Sequence, residues 1–236
     1  MTDKAIPFQT QPLVKMSGSL NLDTILQSKK KIIVTDVDGV LLSWASNLPF
    51  FCAEYNIPTD VVIDLIIDER FRKAGEIFQC NQEHGENLIR MYNNSKWFRG
   101  LKAYDDALLW INRLKKDYDF VATTAIGADF QVSVNRMSNL NVLFPNAFKE
   151  ILTCDHHESK SKMFRHVKEK YGEENVVGYV DDLHHHLESF HRVFHSDKLK
   201  FHILRGSNKK LDAPMRNKHN VGSWEQIANA IYNSEA

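Results

Sequence analysis

Asp36 and Asp38 stand one residue apart, followed by Gly39, directly after the apolar run Ile32-Ile33-Val34. In extended chain such a pair projects to one side, and glycine lets the backbone turn away beyond it. Two carboxylates projecting together from the carboxyl end of a strand stand where open α/β sheets put their ligands. A second acidic pair, Asp181-Asp182, ends the apolar run that starts at Val176, and the hydroxyls of Thr123 and Thr124 end Phe120-Val121-Ala122. Four carboxylates gathered on one edge repel unless a cation sits among them. An all-oxygen donor set selects a hard ion, most simply Mg²⁺. An Asp-x-Asp-Gly alone also describes a polar turn, so the partners decide.

One partner follows from helical periodicity. From Lys160, positions i+3, i+4 and i+7 are Met163, Phe164 and Val167; from Lys162 they are Arg165, His166 and Glu169. This places Lys160 on the buried face of a helix and Lys162 in water. A buried cation requires an anionic partner, and the carboxylate edge supplies one.

The elements that position these residues alternate. Strands are expected around Ile32–Val34 and at 119–124, 148–153, 176–182 and 199–204, with helices marked by Ala107, Trp110, Ile111 and Leu114, up to Met137, over 160–171 and over 224–232. Strands separated by helices of this length mean a doubly wound, Rossmann-like parallel sheet of about five strands, with all strand ends of one kind along one edge. Residues 45–100 break the alternation: Phe50–Tyr55, Asp60–Ile67 and Glu83–Tyr92 read as helices with no strand between them. The expected division is an irregular segment over 1–29 containing a short helix from Leu20 to Gln27, an α/β core over 30–44 and 101–236, and a small helical cap over 45–100 that serves as a lid.

The chain has 236 residues, 43% hydrophobic, enough for a substantial core without staples. Lys plus Arg and Asp plus Glu both number 30, which removes the bulk-charge case for nucleic-acid or membrane binding. Cys52, Cys80 and Cys154 are odd in number and widely spaced, as free thiols in a reducing cytoplasm are. No apolar run reaches membrane-spanning length.

The ordered set Asp36-x-Asp38-Gly39, Thr123, Lys160 and Asp181-Asp182 resembles the haloacid dehalogenase (HAD) superfamily over residues 30–206, with an insert like its first-position cap. The stretch Ala122-Thr123-Thr124-Ala125-Ile126 is similar to the deoxyribonucleotidase version of the second motif. The resemblance implies that Asp36 is a nucleophile forming an aspartyl-phosphate, Asp38 the general acid and base, and Lys160 the charge that holds both nucleophile and phosphoryl group. It implies phosphate binding by Thr123, with Thr124 as the one-residue alternative, and by the Gly39 turn. It implies Mg²⁺ on Asp36, the Asp38 carbonyl and Asp182. The chain has no Asp a few residues after Asp182, which leaves Asp181 as a further ligand. The implied activity is a Mg²⁺-dependent phosphatase for a small phosphorylated metabolite, with a nucleoside monophosphate as one candidate. The alternatives are a nucleic-acid 3′-end phosphatase, which the neutral charge argues against, and a HAD-like binding module without turnover.

The 11 histidines include Asp155-His156-His157-Glu158 and His184-His185-His186. Their spacing fits no zinc motif. Leu183 and Leu187 mark the triplet as the polar face of a helix, leaving room for one histidine near the phosphate site. Among the cap aromatics Trp44 lies closest to the acid loop; Arg72 and Arg99 are candidate anion contacts.

Overall fold

The computed structural model describes residues 14–17, 30–68, 72–127, 129–156, 158–194, 197–205 and 214–235. The expected helix from Leu20 to Gln27 lies outside them.

Among the described residues seven strands form one sheet: β1 (Val14–Ser17), β2 (Lys31–Thr35), β3 (Tyr118–Ala125), β4 (Phe148–Cys154), β5 (Val176–Asp181), β6 (Leu199–Ile203) and β7 (Lys218–Val221), in the order β1-β4-β3-β2-β5-β6-β7. All pair in parallel except β1, which runs antiparallel to β4. The count exceeds the expected five because both edge strands are only four residues long. Edge strands are commonly short and polar, and such segments carry little apolar periodicity. The segment read as irregular thus contributes β1. The strand order reverses on either side of β2, a switch point where doubly wound sheets open a crevice at the strand ends.

Helices α5 (Asp105–Leu114), α6 (Phe130–Leu143) and α9 (Trp224–Glu235) cover one face of the sheet, and α7 (Ser161–Tyr171) and α8 (His184–Phe194) the other. Strand alternation sorts the core accordingly. Ile32, Val34 and Val121 join Met163, Phe164, Val167, Leu187 and Phe190 beneath α7 and α8. Ile33, Phe120 and Ala122 join Ile111, Leu140, Trp224 and Ile227 on the opposite side.

Between β2 and α5 lie α1 (Leu48–Glu54), α2 (Asp60–Asp68), the four-residue α3 (Ala74–Ile77), α4 (Gln82–Asn94) and 3-10 turns at Trp44–Asn47 and Lys96–Gly100. Pro49 starts α1 in the first turn, where its missing N–H costs nothing. Asn81 caps α4 by accepting from the His84 N–H at 2.8 Å. The two stems of this insert run side by side: Ser43 donates to the Lys102 carbonyl at 2.9 Å, and Tyr104 to the Leu41 carbonyl at 3.0 Å. Its buried Leu48, Phe51, Tyr92 and Phe98 share one apolar cluster with Val40, Leu41 and Leu42 of the acid loop.

Candidate active site

Asp36 is the first residue past β2, and its N–H donates to the Val180 carbonyl of β5 at 2.9 Å. It has the parity of Ile32 and Val34, so its carboxylate lies on the α7/α8 side. Lys160 precedes the first turn of α7 and is fully buried, while Lys162 is 62% exposed. The Lys160 ammonium meets Asp36 Oδ1 at 2.8 Å, Asp181 Oδ2 at 2.9 Å and the Tyr179 hydroxyl at 3.0 Å, one acceptor for each of its protons.

Asp181 is saturated. Its Oδ2 also accepts from the Tyr179 hydroxyl and lies 3.1 Å from His186 Nδ1, and its Oδ1 accepts from the Leu183 N–H at 2.8 Å. Burial pushes its carboxyl up, but Lys160, His186 and Tyr179 outweigh burial and hold it well below the usual range. Asp181 is therefore an anchor for Lys160. Asp182 makes no ion pair with another described residue. Burial, and then the charges of Asp181 and Asp36, push it well above the usual carboxylate range. Burial likewise raises Asp36 to about 6, against the pull of Lys160.

Ligand oxygens of Asp36, Asp181 and Asp182 lie within 4.8 Å of one another, the only such acidic or metal-ligating group among the described residues. Two carboxyls driven toward protonation, first by burial and then by neighbouring carboxylates, are what a divalent cation relieves. The donor set suits Mg²⁺, with Asp36 and Asp182 as the carboxylates that have capacity to spare.

Gly39 adopts φ +74°, and a Cβ there would stand 2.5 Å from Asp182 Oδ2. Its N–H donates to the Leu42 carbonyl at 2.9 Å. Its contribution is room for Asp182, with the N–H already committed. The acid loop is braced from behind: Trp224 Nε1 and Arg205 Nη2 both donate to the Val40 carbonyl, at 3.1 Å each.

Thr123 and Thr124 separate by face. Thr123 shares the parity of Val121, on the side of Asp36 and Lys160, and Thr124 that of Ala122, under α6. Both hydroxyls are buried without a hydrogen-bond partner. An orphaned buried hydroxyl costs about 1–3 kcal/mol, and at Thr123 a ligand oxygen on Asp36 would relieve it.

Three functional neighbours were not found by sequence reasoning. Arg136 of α6 is fully buried, and its Nη2 donates to Asp38 Oδ1 at 2.7 Å and Oδ2 at 2.5 Å. Tyr179 and His186 complete the Lys160–Asp181 knot. Tyr179 had a signal, being two residues before Asp181 on one strand face. The histidine triplet opens α8, with His184 and His186 buried and His185 more open, and His186 is the one that reaches the site. Trp44 is spent on packing; its Nε1 donates to Asn93 Oδ1 at 3.0 Å and its carbonyl accepts from Tyr92 at 2.8 Å. Arg99 is exposed and reaches Asn135 Oδ1 at 3.3 Å. No described helix is long and apolar enough to cross a membrane.

No protein-family model matches the chain. It is 41% identical over 203 residues to an uncharacterised 32.4 kDa protein from the Gp30-rIII intergenic region of Enterobacteria phage T4, covering 86% of this chain and 70% of that protein. A haloacid dehalogenase-like hydrolase of Streptococcus pneumoniae superposes with a TM-score of 0.60 at 14% identity, covering 85% of this chain and 98% of the other. The HAD-type hydrolase YfnB of Bacillus subtilis, solved with magnesium bound, gives 0.58 at 16% identity over 86% and 99%. An L-2-haloacid dehalogenase gives 0.55 at 16% identity over 86% and 99%.

Proposed function

We propose that this chain, which belongs to the family of the phage T4 protein and has the haloacid dehalogenase fold, is a Mg²⁺-dependent phosphomonoester hydrolase. Phosphatases and dehalogenases share that fold, so the choice rests on the site. The observation that carries it is a second carboxylate, Asp38, held separately from the Asp36–Lys160 pair. A halide leaves without a proton, so a dehalogenating site needs no acid at the leaving group. An alkoxide leaving from phosphorus needs an acid.

Asp36 attacks phosphorus, and the ester oxygen departs with a proton from Asp38. Water then attacks the aspartyl-phosphate, Asp38 takes its proton, and phosphate and free Asp36 result. Lys160 holds Asp36 and offers charge to the phosphoryl oxygens, and the orphaned Thr123 hydroxyl donates to one of them. Mg²⁺ on Asp36, the Asp38 carbonyl and Asp182 would screen the anionic nucleophile from the anionic substrate. The substrate class is a small phosphorylated metabolite, nucleoside monophosphates included, a reading supported by the helical insert between β2 and α5 and by the neutral net charge. The three free cysteines support a reducing, cytoplasmic setting.

The test is hydrolysis of p-nitrophenyl phosphate with Mg²⁺, its loss in EDTA, and its loss in Asp36→Asn with an unchanged circular dichroism spectrum. Halide release from 2-chloropropionate without phosphate release would replace this reading with dehalogenation.

A further inference from the structure

Asp38 is 20% exposed, yet both of its carboxylate oxygens face one buried nitrogen, Arg136 Nη2. A carboxylate held through both oxygens cannot rotate freely about its terminal bond. Arg136 is itself framed. The face of Phe98, from the insert, lies 4.7 Å from its guanidinium carbon. On either side of it along α6, Asn135 Nδ2 donates to the Asn93 and Ser95 carbonyls at 3.1 and 3.2 Å, and Asn139 Nδ2 to the Phe98 carbonyl at 2.7 Å. Asn93 Nδ2 closes the frame by donating to the Ile126 carbonyl, one residue past β3, at 3.1 Å.

A fully buried arginine without further anionic contacts is costly to keep. Its Nε and Nη1 find no hydrogen-bond partner, so the fold retains the cation for what Nη2 does. A structural ion pair would ordinarily be saturated, as Lys160 is. From this contrast, and resting on the phosphatase reading above, we infer that Arg136 is the positioning residue for the acid–base Asp38. It aims the carboxylate at the leaving oxygen, and Phe98 and the Asn93–Phe98 backbone keep the guanidinium in place. Arg136 is fully buried behind Asp38, so its effect passes through Asp38 alone.

A positioning role predicts a loss that depends on the leaving group. The parameter kcat/KM reports phosphoryl transfer to Asp36, the step in which Asp38 is the acid. An alkyl phosphate, whose alkoxide needs the proton, should lose about ten-fold or more in Arg136→Lys and more again in Arg136→Gln, within the usual range for a positioned acid. p-Nitrophenyl phosphate, whose leaving group needs little protonation, should lose less than about three-fold. In an Asp38→Asn background, Arg136→Lys should add nothing, since nothing is left to aim. Equal losses on both esters, or a further loss in the Asp38→Asn background, would overturn the inference and leave Arg136 as a packing residue. If the wild-type protein hydrolyses neither ester, the phosphatase reading fails by itself. The crystal structure of Arg136→Gln then decides the positioning: a displaced or disordered Asp38 carboxylate sustains it, and an unmoved one refutes it.

Discussion

Two buried cations serve this site, and they are treated differently. Lys160, under α7 and α8, spends its protons on Asp36, Asp181 and Tyr179, and Asp181 in turn accepts from Leu183 and meets His186. Arg136, on the opposite side of the sheet, commits one nitrogen to Asp38 and leaves two without partners. The first is a closed network in which every member is over-determined, which suits a nucleophile that must not move. The second is a single tether whose direction is set by an aromatic face and two asparagines. A proton donor needs direction, and it must also give up and regain its proton in each turnover. The contrast teaches that rigidity is spent on the attacking carboxylate and orientation on the protonating one.

The comparison breaks most visibly at the saturated end. Lys160→Met should strand Asp36 and Asp181 as buried charges, a loss of about 3–5 kcal/mol. That corresponds to a fall in melting temperature of about 10 °C or more for a chain of this size, together with loss of turnover. A melting temperature unchanged in that variant would mean that the network is not what holds the strand ends together.

The metal sharpens the same contrast. Asp36 is raised to about 6 and Asp182 also stands above its ordinary value. The folded chain therefore keeps protons that the unfolded chain releases. Without metal, Asp36 contributes stability that is full below its unfolded value near 3.8 and is lost as pH rises through about 6, and Asp182 acts in the same direction. Mg²⁺ must displace those protons. At a hundred-fold excess over its dissociation constant it should raise the melting temperature by about 5–10 °C at pH 8, and by far less at pH 5. Differential scanning fluorimetry with and without Mg²⁺ at the two pH values measures this. An equal increment at both would remove Asp36 and Asp182 from the metal site.

The smallest change separates the two faces themselves. Thr123→Val should lower kcat/KM roughly ten-fold or more, the loss of one charge-assisted hydrogen bond, while Thr124→Val stays near wild type. Both isosteric changes remove an orphaned hydroxyl, so neither should lower the melting temperature. Equal kinetic losses would show that strand parity does not sort these hydroxyls.

Much of this was legible in the residues. Ile32 to Val34 before Asp36, and Val176 to Val180 before Asp181, mark strands by short β-branched runs, and the acids follow where those runs stop. The buried face of Lys160 was readable because Met163, Phe164 and Val167 repeat at helical spacing. The same test fails on α6, whose buried face carries Ser133, Asn135, Arg136 and Asn139. A polar buried face has no apolar period to detect, so Arg136 looks like surface. The edge strands β1 and β7 escape detection for a related reason, since four residues leave too short a pattern.

The sequence by itself determined the order and spacing of the acids, the parallel α/β core, the helical segment that follows the Asp36 strand and the burial of Lys160. All of these depend on local periodicity, which says which way a residue faces. Only the tertiary structure decided which partner it meets there. It joined Arg136 to Asp38 across 98 positions, divided Asp181 as anchor from Asp182 as the open carboxylate, and set Thr123 and Thr124 on opposite faces. Partner choice arises where distant elements converge on one sheet edge, and no period within a single element encodes that.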